Sequence, residues 1–338
     1  MYSIAIYILL SFIIFILFAL FSYKFQFVDV PNDRKIHSKP TAYSGGIAIS
    51  IILLCALQFF ETFNILDRKL NLILSTAFLT SVIGFIDDRY HLNVGGKLSL
   101  QIVPIFYLIT FESLVINQIG NYNYFQLELG VFKLPFTIIS VLFLTNAFNY
   151  FDGLDGTLGF TTISVLGILY FLLIDHNFQY LFLIILIPVG VFLFFNFSLF
   201  NLPKLFLGDS GSLFLGFIFS FILIYLNNLN IIHPILFAWS IVIFVYEFLA
   251  INLIRLINNK DPFKAGKDHL HHLLFKDNRS IFLTNLIISS LNIFLFFLGY
   301  MSFELINSLA SLILFIFCFI PFLFFRKVYS KKLLNKNS

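Results

Sequence analysis

The stretch Asn146–Gly159 reads N-A-F-N-Y-F-D-G-L-D-G-T-L-G and follows directly on an apolar run that begins near residue 134. It places two carboxamides, two carboxylates and three glycines at the end of that run. A charged side chain at the centre of a bilayer costs at least ~2.5–3.5 kcal/mol, so these acids belong at a water-facing rim. There glycines let a ligand approach the backbone, and acids and amides can hold polar groups or a hard cation. The plainer alternative for this stretch is a polar hairpin between two spans.

The rest of the chain supports a membrane setting. Of 338 residues, 59% are apolar and 11% charged, against roughly 25% charged in soluble domains. The 49 phenylalanines and long Ile/Leu runs leave no polar segment for a separate soluble domain. The expectation is one integral membrane domain over 1–338. It should be all helical, because an open sheet cannot satisfy its backbone in lipid. Runs near 2–22, 45–60, 70–86, 98–111, 134–150, 158–174, 178–198, 211–226, 231–254, 281–303 and 305–325 predict eleven spans, the second and fourth being the weakest. The first run lacks a basic start and a small-residue cleavage site, and reads as a retained span. Residues 118–135 alternate polar and apolar around Gly120 and Gly130 and predict a small β-hairpin on the outer face. Cys55 and Cys318 lie in apolar runs and suggest no disulfide or metal framework.

Charge orients the spans. With the N-terminus outside, every basic residue except Arg68, Lys69 and Lys133 falls on the cytoplasmic side, which is the expected bias. The C-terminus is then cytoplasmic, and the basic segment 326–338 reads as a tail attracted to anionic lipid. Every stretch dense in Asp, Asn, Gly or His lands on the same side.

Five clusters could carry chemistry there. Val28–Gly46 is an ordered loop in which Asp33, Arg34, Lys35 and His37 could line an anion path, or serve only as topogenic charge. Ile86–Lys97 places Asp87 and Asp88 side by side at a helix end, where they repel unless a cation or proton intervenes. Asn146, Asn149, Asp152 and Asp155 are spaced by threes, on adjacent parts of one helical surface if the helix continues that far. Leu205–Ser212 sets Asp209 between glycines before an apolar run, as a cation ligand or a helix cap. Asp261–Leu274 holds His269, His271 and His272, too tightly spaced for a common zinc helix and without a nearby Cys. Beside Lys264, Lys267 and Arg279 they read better as donors to phosphate oxygens. Together these groups suit phosphoryl transfer between a soluble nucleotide donor and a lipid acceptor, since both partners are anionic.

The motifs D-V-P-N-D-R-K-I-H, D-D-R-Y-H-L-N-V-G-G-K, N-A-F-N-Y-F-D-G-L-D-G, F-L-G-D-S-G-S and H-L-H-H occur in that order along most of the chain. The set resembles the polyprenyl-phosphate N-acetylhexosamine-1-phosphate transferase family, in its WecA-like rather than its peptidoglycan branch. The resemblance implies transfer of a sugar 1-phosphate from a UDP-sugar to undecaprenyl phosphate, releasing UMP. It implies Mg²⁺, with Mn²⁺ as a substitute, held mainly by Asp209 with Asn149 close by. Asp87 would deprotonate or position the lipid phosphate, with Asp88 and Lys97 beside it. Asn146, Asp152 and Asp155 would belong to the nucleotide pocket with Gly208 and the three histidines, and Phe206 would stack on uracil. One direct displacement and an aspartyl-phosphate double displacement both remain open, as do a homodimer and the choice of sugar. Nothing points to nucleic acid.

Three departures bear on the donor sugar. Tyr43 stands where the family often has Arg, Gly266 where an Asp usually precedes the His motif, and Glu247 where Asp is frequent. Glu247 could lie near the sugar or pair with Arg255. The rival reading from another class is a cation-coupled transporter or flippase. Such proteins place ionisable groups near the midplane at a repeat interface, whereas these collect at one rim and no repeat is visible.

Overall fold

A computed structural model describes residues 2–31, 39–59, 67–174, 176, 178–261, 266 and 268–335, with side chains as far as 330. Helix α1 (Tyr2–Lys24) leads through strand β1 (Val28–Asp29) and strand β2 (Thr41–Ala42) into α2 (Gly45–Phe59), α3 (Arg68–Tyr90) and α4 (Val94–Glu112). Strands β3 (Gln118–Tyr122) and β4 (Phe125–Glu128) precede α5 (Lys133–Phe151), α6 (Thr157–Leu172), α7 (Gln179–Asn196) and α8 (Gly208–Asn228). Then follow α9 (Pro234–Ser240), α10 (Val242–Ile257), α11 (Leu270–Asn278), α12 (Ile281–Leu305) and α13 (Ser308–Asn335).

Each of the eleven apolar runs carries helix. Among the described residues eight helices are long and apolar enough to cross a membrane, or nine if α9 and α10, bent by 71° at their junction, count as one span. The chain is an all-α, multi-pass membrane protein with two small two-stranded ladders. The fourth run, weak in the sequence, is a 19-residue helix because Val94-Gly95-Gly96-Lys97 joins it behind an Asn93 cap. Asn93 Oδ1 accepts the Gly96 N–H at 2.8 Å. The second run is short as expected, a helix of 15 residues in α2, and α6 is also short with 16. The predicted hairpin is present as the antiparallel pair β3–β4.

The helices divide into two compact units. The first comprises residues 1–114 and 173–222, so it holds α1 to α4, α7 and most of α8. Here α2 packs on α1, α3 and α7. It also touches α8 backbone to backbone, since a Cβ on Gly46 would lie 1.9 Å from the Gly211 nitrogen. The strand-like segment before α8 runs beside β2: Phe206 N–H donates to Ala42 O at 2.7 Å, and Gly46 N–H to Leu207 O at 2.8 Å. These bonds set where α8 begins.

The second unit comprises residues 115–172 and 223–338. In it α12 packs on α6, α9 and α13. The break between α9 and α10 would strand backbone groups in an apolar interior, and Asn292 of α12 satisfies them. Its Oδ1 accepts the Ile243 N–H at 3.3 Å, and its Nδ2 donates to Ser240 O and Ser164 Oγ, each at 3.1 Å. Trp239 is fully buried against Gly299 and donates its indole N–H to Ser311 Oγ at 3.0 Å.

Candidate active site

In the first unit the last turn of α3 carries two carboxylates with different partners. Asp87 Oδ1 accepts the Leu92 N–H at 2.8 Å, and its Oδ2 lies 2.8 Å from Lys97 Nζ. Lys97, in the first turn of α4, also meets the Asp209 carboxylate. Asp88 turns to the start of α8, where its two oxygens accept the N–H groups of Asp209 at 3.0 Å and Ser210 at 3.3 Å. Acids at a helix C-terminus oppose its dipole. Here one is matched by an ammonium and the other by the positive end of a second helix.

The sequence left open whether Asp209 caps α8. The structure gives the capping to Asp88, so the Asp209 side chain meets Lys97 instead. Gly208 makes this arrangement sterically feasible. Its φ is +73°, and a Cβ there would sit 2.6 Å from Asp88 Oδ2. Phe206 is half-buried, with Lys204 Nζ 5.4 Å from its ring centre.

The donors around Lys97 are carboxylate oxygens, the ligands a hard cation takes. Among the described residues no three His, Cys, Asp or Glu could enclose a metal. Mg²⁺ does not require such a cage, since it keeps several waters and uses one or two carboxylates with substrate phosphates. The Asp209 side chain is 30% exposed, so it can be reached. The chemistry of these residues is therefore compatible with Mg²⁺ carried on Asp209 and completed by substrate phosphates and water.

In the second unit α5 ends at Phe151. Asp152 is its C-terminal cap, donating its N–H to Asn149 O at 3.2 Å. Only Asn146 and Asn149 are therefore helical, while Asp152 and Asp155 lie in the following turn, which corrects the expectation of one continuous surface. Asn146 Nδ2 bonds back to Leu142 O at 2.7 Å. The turn is pinned by the buried Asn285 of α12, which donates to Asp155 O at 2.8 Å and accepts from Thr157 Oγ1 at 2.7 Å. Gly153 packs on a histidine, since a Cβ on it would lie 2.1 Å from His271 Nε2.

The three histidines cluster at the start of α11. His269 and His271 lie parallel with ring centres 5.5 Å apart, and His272 is 4.3 Å from His271. His269 and His271 are buried. Burial pushes the His269 imidazole down to about 3 and holds His271 well below the ordinary range. They are neutral near pH 7 and can offer a single N–H rather than a positive charge.

Two guanidinium forks hold this segment. Arg255 grips Asp268 through Nε to Oδ2 at 3.0 Å and Nη2 to Oδ1 at 2.7 Å. Burial pushes the Asp268 carboxyl up, but the Arg255 hydrogen bonds and charge outweigh that and hold it below the usual carboxylate range. Glu247 forks with Arg326, Nε to Oε2 at 2.6 Å and Nη2 to Oε1 at 2.8 Å, both side chains 1% exposed. Glu247 therefore pairs with Arg326 and not with Arg255, and Arg326, which the sequence placed in a basic tail attracted to anionic lipid, sits buried within α13. Asp268, Asn285 and Arg326 were not singled out in the sequence. Asp268 stood just before the His motif, within the Asp261–Leu274 stretch, whereas a guanidinium just after an apolar run reads as topogenic charge. His37, Lys264, Lys267, Asp33, Arg34 and Lys35 lie outside the described residues.

The family model described as "Glycosyl transferase family 4" matches residues 70–227. A Bacillus subtilis (strain 168) protein named "Probable undecaprenyl-phosphate N-acetylglucosaminyl 1-phosphate transferase" is 31% identical over 264 residues, 74% of this chain and 70% of that protein. Proteins of Yersinia pestis and Escherichia coli (strain K12), each named "Undecaprenyl-phosphate alpha-N-acetylglucosaminyl 1-phosphate transferase", are 28% and 27% identical over 75% of this chain and 70% of their own length.

Proposed function

The chain belongs to glycosyl transferase family 4, and from that premise we propose that it transfers N-acetylhexosamine 1-phosphate, from UDP-GlcNAc or a deoxy relative, to undecaprenyl phosphate. A lipid phosphate oxygen attacks the phosphorus next to the sugar, the bond from that phosphorus to the UMP oxygen breaks, and a lipid-linked diphosphosugar remains. Such a product starts an O-antigen, teichoic-type or capsular glycan. The carrying observation is the Lys97 ammonium set between Asp87 and Asp209 at the capped start of α8. Both substrates are anionic, and carboxylates gathered round a fixed cation suit a divalent ion that would offset their repulsion.

Within this reading Asp87 positions the lipid phosphate or takes its proton, and its bond to the Leu92 N–H fixes it for that role. Asp88 acts through α8, by holding Asp209. Mg²⁺, or Mn²⁺ in its place, would be held mainly by Asp209 and would neutralise charge on the diphosphate. Phe206 offers a ring for uracil, and in the second unit Asp152, Asp155 and the histidines remain the candidate nucleotide contacts. The chain sits in the bacterial inner membrane with its acids toward the cytoplasm, in line with its charge bias.

Membranes containing the protein, given a mixture of UDP-N-acetylhexosamines and undecaprenyl phosphate, should release UMP and form a diphosphosugar lipid detectable by mass spectrometry. Chelation should stop the reaction and Mg²⁺ should restore it. Asp209→Ala should lower kcat by about 10²–10³-fold or more. No metal-dependent UMP release from any UDP-sugar would refute the assignment.

A further inference from the structure

Glu247 of α10 and Arg326 of α13 are almost fully buried, at 1% exposure each. A buried ion pair is weak evidence for stability, since apolar residues of similar volume often serve as well. What distinguishes this pair is where its remaining hydrogen bonds go. Glu247 Oε1 accepts the Leu270 N–H at 2.8 Å, so it caps α11 from another helix. Arg326 Nη2 donates to Asp268 O at 2.7 Å. Both bonds end on the segment that carries His269 and leads into His271 and His272. Asp268 is further held by Arg255, and Gly266 lies against that fork, a Cβ on it falling 2.2 Å from Asp268 Oδ1.

We propose that Glu247 and Arg326 are positioning residues, a buried clamp that fixes the start of α11 and thereby sets the three histidines for the nucleotide-sugar donor. The assignment to the donor rests on the proposed function, but the clamp itself does not. The geometry favours a clamp over simple packing because the pair spends bonds on a loop that its own two helices do not require.

The test is the double variant Glu247→Leu/Arg326→Met in full-length protein in native membranes, with Arg326→Lys alongside. Replacing both partners avoids leaving one charge buried, so the thermal midpoint should stay close to that of the unchanged protein. Diethyl pyrocarbonate modification, read residue by residue by mass spectrometry, should rise about tenfold at His269 and His271 as the segment opens locally. The exposed His91 and His176 and the half-buried His233 should keep their rates. The KM for the UDP-sugar should rise about 10-fold or more, as supporting residues typically give, while the KM for polyprenyl phosphate stays unchanged. Arg326→Lys should fall between, because an ammonium cannot fork a carboxylate. Unchanged protection of His269 and His271 would overturn the proposal. So would a uniform rise that includes His233 with a lowered midpoint, which would mark a support of the whole fold. If no transferase activity exists at all, histidine protection still decides the clamp on its own.

Discussion

Asp87 and Asp88 are chain neighbours with unlike environments, and substitution should separate them. Asp88→Ala removes the acceptors for two N–H groups at the start of α8, so stability should fall by about 0.5–2 kcal/mol, as for other lost caps. Thermal unfolding in detergent would measure it. Asp87→Asn keeps an acceptor for Leu92 and should leave the midpoint nearly unmoved while lowering kcat by about 10²–10⁴-fold, the range for a lost acid–base group. Gly153→Ala forces a methyl against His271 and should destabilise by about 1–3 kcal/mol, as overpacking does. These acids were legible in the sequence because carboxylates stand out in an apolar chain. Their division of labour was not legible, because adjacent residues on a helix point about 100° apart and only packing decides what each one meets.

Helix α11 should make the protein sensitive to acid. An imidazole whose folded pKa lies below its unfolded value leaves the unfolded state binding more protons, so stability falls as pH falls. For His269 the loss should begin below about 6.5, the ordinary value, and run toward its folded value of about 3, with His271 contributing in the same direction. Thermal midpoints between pH 7 and 4 should show this fall, and replacing both histidines with Gln should flatten it. The broken span α9–α10 depends on Asn292 in a similar way. Asn292→Leu leaves the Ile243 N–H and Ser240 O without that partner and should cost about 1–3 kcal/mol per group. Hydrophobic runs made the existence of the helices plain, and the spacing of three through Asp155 left open whether α5 continued past its apolar run into the D-G-L-D-G turn. Glycine is a poor helix former, and Gly153 and Gly156 were the signal that α5 stops at Phe151.

At the scale of the molecule, each of the eleven apolar runs carries helix because hydropathy acts locally, although among the described residues eight helices, or nine with the bent α9–α10 pair, are long and apolar enough to span a membrane. How α9 meets α10 is decided by a partner some fifty residues away, so hydropathy could not report the bend. The charge bias predicts sidedness that labelling can check. In a Cys55→Ala/Cys318→Ala background, Tyr124→Cys on the exposed hairpin tip should react with an impermeant maleimide in intact cells. Tyr90→Cys, at the end of α3, should react only after permeabilisation. The Glu247–Arg326 pair adds an order of events. The guanidinium is made 79 residues after the carboxylate it neutralises. Until the ribosome delivers α13, Glu247 lacks the guanidinium that pairs with it in the folded chain, and an unpaired buried carboxylate is costly. The last helix thus completes a check on the nascent chain: a molecule stalled or truncated before Arg326 leaves Glu247 without its counter-charge and the start of α11 without the bond to Asp268 O.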